Sequence, residues 1–337
     1  MMKAIVLREI GGPEKLLLEN VPDPEPGPGE VVVRLKAAAM NHRDVWIRTG
    51  RYAGIKLPII LGSDGAGMVH AVGAGVDQSL VGKPVLINPC LDWGDDPAVQ
   101  RSDFRILGLP DNGTYAEYVK VPASNVHPKP EELSWEEAAA VPLAAMTAYR
   151  AVVTRGRIQP GETVVVTGIG GGVAVFVLQI AKKIGCRVFV TSGSEDKIER
   201  ARSLGAEGGV NYRTQDWVKE LREMTGGKGP DVIVDSAGGE VFDKALDLVR
   251  PGGKVITFGA TLGPAKEVMV RRIFWKQLTI LGSTMGTPEE FRKAVELYSS
   301  GGLRPIIDKV FPLTEVQAAH KRMEAGEQFG RIVLTIP

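Results

Sequence analysis

The residues best suited to chemistry lie in VVVTGIGGGVA, 164–174, where an apolar run meets four glycines and passes into an amphipathic stretch that reaches Ile184. A glycine turn between a strand and a helix leaves backbone N–H groups at the positive end of the helix dipole, where a phosphate is held. The strict G-x-G-x-x-G spacing fails, because counting from Gly168 puts Val173 in the last slot. Gly168-x-x-Gly171-x-x-Ala174 does work, with alanine as the small residue that lets helix and strand pack closely. The spacing therefore predicts a dinucleotide site with Gly168, Gly171, Gly172 and Val173 among its cofactor-binding residues.

The following apolar strand selects the dinucleotide. Enzymes that use NAD usually end it in an Asp or Glu for the ribose 2′-hydroxyl. Here it ends Thr191-Ser192-Gly193-Ser194, with Lys197 just beyond. Hydroxyls and a cation stand where the carboxylate would be, which favours a 2′-phosphate and hence NADPH as cofactor. A plainer role for Ser192 and Ser194, capping a helix that begins near Glu195, suits either cofactor. A second glycine cluster, GSDGAG at 62–67, lies about a hundred residues earlier and holds a serine and an aspartate between its glycines.

The elements that must position these residues fall into two kinds. Up to about Lys129, short β-rich runs (Lys3–Arg8, Val31–Ala37, Gly67–Val72, Lys83–Asn88 and Tyr115–Val121) alternate with Pro and Gly clusters, the longest being PDPEPGPGE at 22–30. That pattern predicts a mostly antiparallel β region. From about Leu143 the rhythm becomes strand, helix, strand, helix, with strands at 164–167, 188–191, 232–235, 255–258 and 278–282. Such alternation predicts a doubly wound parallel sheet, so the fold class is α/β. After Pro288 come a helix over 289–300 and two short strands, at Val310 and over 332–336, a tail expected to return to the first domain.

The 337 residues suffice for two domains. The 41 basic and 40 acidic residues nearly cancel and form no dense basic block, which argues against a nucleic-acid partner. The longest apolar stretches, 138–149 and 173–181, fall short of a membrane span and are interrupted by Pro142 and Gln179. The N-terminal MMKAIVLREIGG lacks an apolar signal region. Two cysteines, Cys90 and Cys186, make no disulfide framework and suit a reducing cytoplasm. His42, His70, His127 and His320 are scattered, with no pair at metal-ligand spacing.

A β-rich first part, this glycine loop, LGA at 204–206, NYR at 211–213, GGKGPDVIVDSAGG at 226–239 and a closing GRIVL at 330–334 together resemble the medium-chain dehydrogenase/reductase superfamily. The sequence looks most like the quinone oxidoreductases and their zinc-type alcohol dehydrogenase-like relatives. The resemblance implies a GroES-like catalytic domain over 1–143 and 288–337, with a Rossmann domain over 144–287. In the zinc-dependent members a metal is held by a Cys, a His within a G-H-E-x-x-G loop, and a Cys or Asp before the Rossmann domain. Those slots hold Asn41, Ser63 and Leu143 here, with Asp64 in place of the Glu. An amide, a hydroxyl and an isobutyl group do not make a zinc site, and Cys90 alone cannot replace the four cysteines of the structural zinc. GSDGAG thus reads as a zinc loop without its histidine, its glycines letting the backbone turn tightly.

The same resemblance assigns roles to single residues. NHRDVWIRTGRY, 41–52, is similar to a family stretch whose closing tyrosine is the proposed proton donor of enoyl thioester reductases, which makes Tyr52 the candidate acid. Asn41 would bond the nicotinamide ribose or the substrate oxygen, and Asp44 would orient neighbours. Tyr212 and Lys197 match residues beside the adenosine phosphate. Thr147 matches one near the nicotinamide, Gly259 one at the carboxamide, and Arg331 one close to the pyrophosphate. Asp235 reads as a turn cap. The implied activity is zinc-independent, NADPH-dependent reduction of a quinone or an activated C=C bond, in a homodimer or homotetramer. An enoyl thioester reductase or a cofactor-binding sensor with little catalysis is the alternative.

Overall fold

A computed structural model describes residues 1–337, which divide into two compact units: Met1–Leu143 with Gly286–Pro337, and Ala144–Met285. The first unit is built on a seven-stranded sheet. Its order runs Val126–Pro128, Pro84–Ile87, Asp64–Val72, Glu30–Ala39, Arg331–Thr335 and Ile307–Pro312, with Tyr118–Pro122 also paired to Glu30–Ala39. A three-stranded sheet, Leu16–Val21, Met2–Leu7 and Ile59–Ile60, packs its Ile5 and Leu7 into the same apolar core as Val33, Leu35 and Ile332.

The tail does return to the first unit. Val333 pairs with Ala39 and Leu334 with Ala38, antiparallel, while Ala39 also pairs with Asp64 on its other side. Three neighbouring strands of the sheet therefore pair around Ala39, and the helix His42–Arg48 begins three residues further on. Sequence rhythm missed Leu16–Val21, and it began one strand too early at Tyr115. That residue is fully buried, and its pairing run starts only at Tyr118.

GSDGAG corrects the expectation of a tight turn. The strand begins at Asp64, so only Gly62 and Ser63 lie outside it. A Cβ on Gly67 would sit 2.1 Å from the Arg34 carbonyl oxygen, where the pairing of the two strands slips register beside Leu35. A Cβ on Gly65 would meet Leu35 and Thr114, and one on Gly62, at φ +93°, would meet the Tyr115 ring. Close approach of neighbouring backbone and side chains, more than turning, excludes side chains here.

The second unit is a six-stranded, wholly parallel sheet in the order Gly208–Asn211, Arg187–Ser192, Thr163–Val166, Val232–Asp235, Lys254–Thr257, Thr279–Gly282. Numbered within the unit this is 3-2-1-4-5-6, the doubly wound dinucleotide-binding order. Val164, Val165 and Val166 are buried, as β-branched residues are in a sheet covered on both faces. The helix Gly172–Ile184 follows, stopped by Gly185 in the left-handed region, with Lys182 and Lys183 in its last turn opposing the dipole. The strand Gly208–Asn211 was invisible to periodicity because it opens on two glycines. A Cβ on Gly209 would fall 2.7 Å from Val190 Cγ2 and one on Gly208 against the Phe189 ring. No helix in the chain is long and apolar enough to cross a membrane.

Candidate active site

Within the first unit, the residues in the three metal slots have been rebuilt around a carboxylate. Asp64 is fully buried. Its Oδ1 accepts from the Leu143 backbone N–H at 2.8 Å, while its Oδ2 accepts from Asn41 Nδ2 at 3.0 Å and from Arg331 Nη2 at 2.5 Å. Arg331 Nη1 donates in turn to Asn41 Oδ1 at 2.9 Å. The second slot, Ser63, donates to the Leu107 carbonyl and accepts from Arg43 Nη1 at 2.7 Å. Burial pushes the Asp64 carboxyl up to about 6, a rise that Arg331 and then the Asn41 amide oppose.

Two expectations change on this geometry. Arg331 is 3% exposed and commits both terminal nitrogens to Asp64 and Asn41, so it serves the network and is closed to a pyrophosphate in this structure. Asn41 has both ends of its amide engaged, one on Asp64 and the other on Arg331. No cluster of three His, Cys, Asp or Glu residues stands close enough to hold a metal ion. The donor set at 41, 63 and 143, an amide turned to a carboxylate, a hydroxyl and an alkyl chain, does not fit zinc.

Asp44 is bonded to two of its neighbours. Its Oδ2 accepts from Asn41 N–H and from Tyr115 Oη, both at 2.8 Å. Burial raises the Asp44 carboxyl and the Tyr115 phenol above their ordinary ranges. Tyr52 is half-buried and packs against the core, with the Arg43 guanidinium 5.1 Å over its ring. Arg43 carried no role in the sequence reading, and its position between Asn41 and Asp44 is the only signal that could have marked it. His320 is fully buried and takes a hydrogen bond from Arg48 Nε at 3.3 Å; burial lowers its imidazole to about 3, so it is a neutral core residue.

In the second unit, Gly168 adopts φ +64° and a Cβ there would meet nothing within 4 Å. The loop is pinned to the next strand by Ile169 N–H on the Thr191 carbonyl and Gly168 N–H on Thr191 Oγ1. Gly171 caps the helix Gly172–Ile184 without any side-chain bond, so its first turn, from Gly172 and Val173, presents uncapped donors. Asp235 is the turn cap it was read to be, accepting from Thr167 Oγ1, Ala237 N–H and Gly238 N–H. These features fit a dinucleotide pyrophosphate.

The adenosine end carries more charge than the sequence reading assigned. Ser192 Oγ accepts from Ser194 N–H, and Ser194 starts the helix Glu195–Ser203 without a side-chain cap bond. The capping alternative therefore does not describe these serines. A Cβ on Gly193 would lie 2.7 Å from Arg213 Nε and 3.0 Å from Tyr212 Oη. Arg213 thus joins Tyr212 over the strand end, with Lys197 on the helix beyond. Thr147 is buried on the helix Pro142–Tyr149, and Gly259 sits just past the strand Lys254–Thr257 with its Cα facing the Ser236 carbonyl.

Comparison with known proteins agrees with this architecture. Residues 27–131 match the family model described as alcohol dehydrogenase GroES-like domain, and residues 172–300 the one described as zinc-binding dehydrogenase. The zinc-type alcohol dehydrogenase-like protein YogA of Leptosphaeria maculans is 36% identical, over 95% of this chain and 94% of its own. The quinone oxidoreductase of Pongo abelii is 30% identical over 100% and 98%. A crystal structure of an NAD-dependent alcohol dehydrogenase superposes with a TM-score of 0.94 at 43% identity, covering 100% of both chains. The chain belongs to the medium-chain dehydrogenase/reductase superfamily, in the branch of quinone oxidoreductases and zinc-type alcohol dehydrogenase-like proteins. It is an oxidoreductase of that type, with a nicotinamide dinucleotide as cofactor and a small molecule as substrate.

Proposed function

We propose that this protein is a zinc-independent, NADPH-dependent reductase that passes hydride to a quinone or an α,β-unsaturated carbonyl. The observation that carries the reading is the Asp64–Arg331–Asn41 network, which commits the side chain of one metal slot and the backbone of another to a buried carboxylate. Without a Lewis acid, an unactivated alcohol or ketone loses several kcal/mol of transition-state stabilisation. A conjugated acceptor spreads the incoming charge onto an oxygen, and a hydrogen-bond donor and a proton source suffice. Bound NADPH supplies the hydride. Tyr52, whose phenol makes no hydrogen bond within the protein, is the proton donor, and Asn41 holds Asp64 and Arg331 in place. The Pongo abelii relative's name, quinone oxidoreductase, supports the acceptor class.

The test is cofactor oxidation by metal-stripped protein with a simple quinone, a conjugated enone and a plain ketone. Turnover with the first or second, unchanged by chelator, is the expected result. Activity confined to the ketone and restored by zinc would overturn the proposal. Tyr52→Phe is expected to lower kcat about a hundredfold while leaving the cofactor Kd unchanged; undiminished turnover would remove the proton-donor role.

NADPH is favoured over NADH by Arg213, Lys197 and Tyr212 around Gly193, and by the absence of a carboxylate at the end of the strand Arg187–Ser192. Arg213→Gln should raise the KM for NADPH about tenfold, the loss of one charge-assisted hydrogen bond, with the KM for NADH little changed. Equal changes for both would remove Arg213 as the reader of the 2′-phosphate.

The proposed assembly is a homodimer paired through the open edge strand Thr279–Gly282, next to which Val270, Phe274 and Trp275 stand more than 60% exposed. A flat, apolar sheet edge invites pairing with a second copy. Sedimentation should return twice the chain mass for the wild type and a single chain for Trp275→Glu. Further pairing of such dimers would give a homotetramer. Cys90 and Cys186 are buried and joined in no disulfide, in keeping with a reducing cytoplasm.

A further inference from the structure

The second unit contains a cavity that the dinucleotide loop does not explain. Its volume is about 340 Å³, and it is lined by Thr154, Arg155, Arg157, Lys254, Thr279 and Leu281, with Gly156 between the two arginines. That volume falls within the roughly 300–1,000 Å³ of small-molecule sites. Every lining residue belongs to the unit Ala144–Met285, and none is part of the glycine loop. Lys254 and Thr279 open the two outermost strands of the parallel sheet, whereas Gly168 follows the far end of Thr163–Val166, three strands inward from Thr279. At about 4.8 Å per step, the strand of Thr279 lies about 14 Å from the strand that carries the loop.

The lining holds three cations and no carboxylate. Lys254 is engaged: its Nζ donates to the Gly156 carbonyl at 2.9 Å and stands 3.6 Å from Glu162. The arginines are not. Arg155 Nε donates to the Gly282 carbonyl at 3.1 Å, which leaves both terminal nitrogens without an acceptor, and the Arg157 guanidinium has none at all. Exposed arginines need no ion pair, since water solvates them, but the backbone here holds one of them at a cost. Arg150–Arg155 is a π-helix, closed by Gly156 N–H on the Ala151 carbonyl at 2.9 Å. Just beyond a helix end, the left-handed position is ordinarily glycine. Gly156 instead sits one residue early at φ −73°, and Arg157 takes the left-handed conformation at φ +46°. A strained residue persists where its side chain is needed, and this one lines the cavity.

We infer that the cavity is a binding site for a small organic phosphate, separate from the dinucleotide site. Two arginines with free terminal nitrogens match the oxygens of a phosphate dianion, and the hydroxyls of Thr154 and Thr279 donate to those that remain. Thr154, Arg157 and Thr279 are exposed, so the cavity opens to solvent. At about 30 Å³ per water, the space equals about eleven waters, more than one phosphate group displaces. Leu281 adds an apolar wall, so the ligand carries a carbon body beside its phosphate. Because Arg155 also holds Gly282, the last residue of the open edge strand, the site borders the edge proposed above for pairing.

The test is calorimetric titration of phenyl phosphate into protein saturated with its nicotinamide dinucleotide, so that the glycine loop is occupied. One equivalent should bind with a Kd below about 1 mM. Arg155→Gln and Arg157→Gly should each weaken it about tenfold or more, while the dinucleotide Kd stays within about twofold of wild type. Arg157→Gly also controls for folding: glycine suits the left-handed position, so this variant should melt no lower than wild type. Inorganic phosphate should displace phenyl phosphate only at about tenfold higher concentration, and equal potency would overturn the organic ligand. No binding, or binding abolished by sodium chloride of equal ionic strength, would overturn the site. Loss of binding in Arg213→Gln but not in Arg155→Gln would do the same by moving the phosphate to the adenosine end. A lower melting temperature for Arg157→Gly would make that arginine part of the fold and overturn its role as a ligand. Arginine variants that change the sedimenting mass but bind phenyl phosphate normally would make the cavity an interface between copies, and would overturn the inference too.

Discussion

Replacing Asp64 with alanine is expected to lower the unfolding free energy of the first unit by about 3–5 kcal/mol, the usual cost of removing one partner from a buried ion pair. The substitution leaves Arg331, itself 3% exposed, without its carboxylate, and strips acceptors from Asn41 Nδ2 and Leu143 N–H. Three donors are orphaned by one change, and an unmet buried donor alone costs about 1–3 kcal/mol. Asp64→Asn keeps the shape and part of the bonding, so it should lie between alanine and wild type. The decisive comparison is the double variant Asp64→Leu with Arg331→Met, which removes both charges. It should recover most of the loss, because desolvation of a buried pair consumes much of its attraction. Urea titrations monitored by tryptophan fluorescence give all four values. A double variant no better than Asp64→Ala would show that the network's hydrogen bonds matter more than its charges.

The second large effect belongs to Gly67→Ala. The added carbon would lie 2.1 Å from the Arg34 carbonyl oxygen and 2.8 Å from Leu35 Cα, all backbone atoms of the paired strand. Nothing there can rotate away, so the strands Glu30–Ala39 and Asp64–Val72 must part at the register slip between them. Overpacking of that kind is expected to cost about 3 kcal/mol or more. Gly65→Ala makes the informative contrast, because its Cβ would meet the ends of Leu35 and Thr114 side chains, which can shift. Its cost should be about half as large. Equal melting temperatures for the two variants would mean that the strand pair yields more readily than its contacts imply.

How much of this was legible in advance depended on whether the signal was local. The alternation of apolar runs and helical patterns after Leu143 marked five of the six parallel strands, because each is a short valine- and isoleucine-rich run buried on both faces. The sixth, Gly208–Asn211, opens on glycines for reasons set by Phe189 and Val190, which lie elsewhere in the chain. The phosphate loop was legible for the same local reason. Arg331 was found but given the wrong partner, since Asp64 lies 267 residues away and the contact is created by strand pairing. Arg213 and Arg43 went unassigned because an arginine in a polar stretch resembles any solvated charge until burial and neighbours are known.

The return of the strand Arg331–Thr335 to the strand Glu30–Ala39 also fixes the order of events at the ribosome. Asp64 leaves the exit tunnel 267 residues before the arginine that will neutralise it, a delay of about 13–53 s at 5–20 residues per second. During that time Gly208–Asn211 through Thr279–Gly282 can assemble with local partners only, whereas the earlier-made sheet still lacks two of its strands. The part synthesised in the middle is therefore free to fold before the part synthesised first, and the nascent β region is the segment that a chaperone would have to shelter.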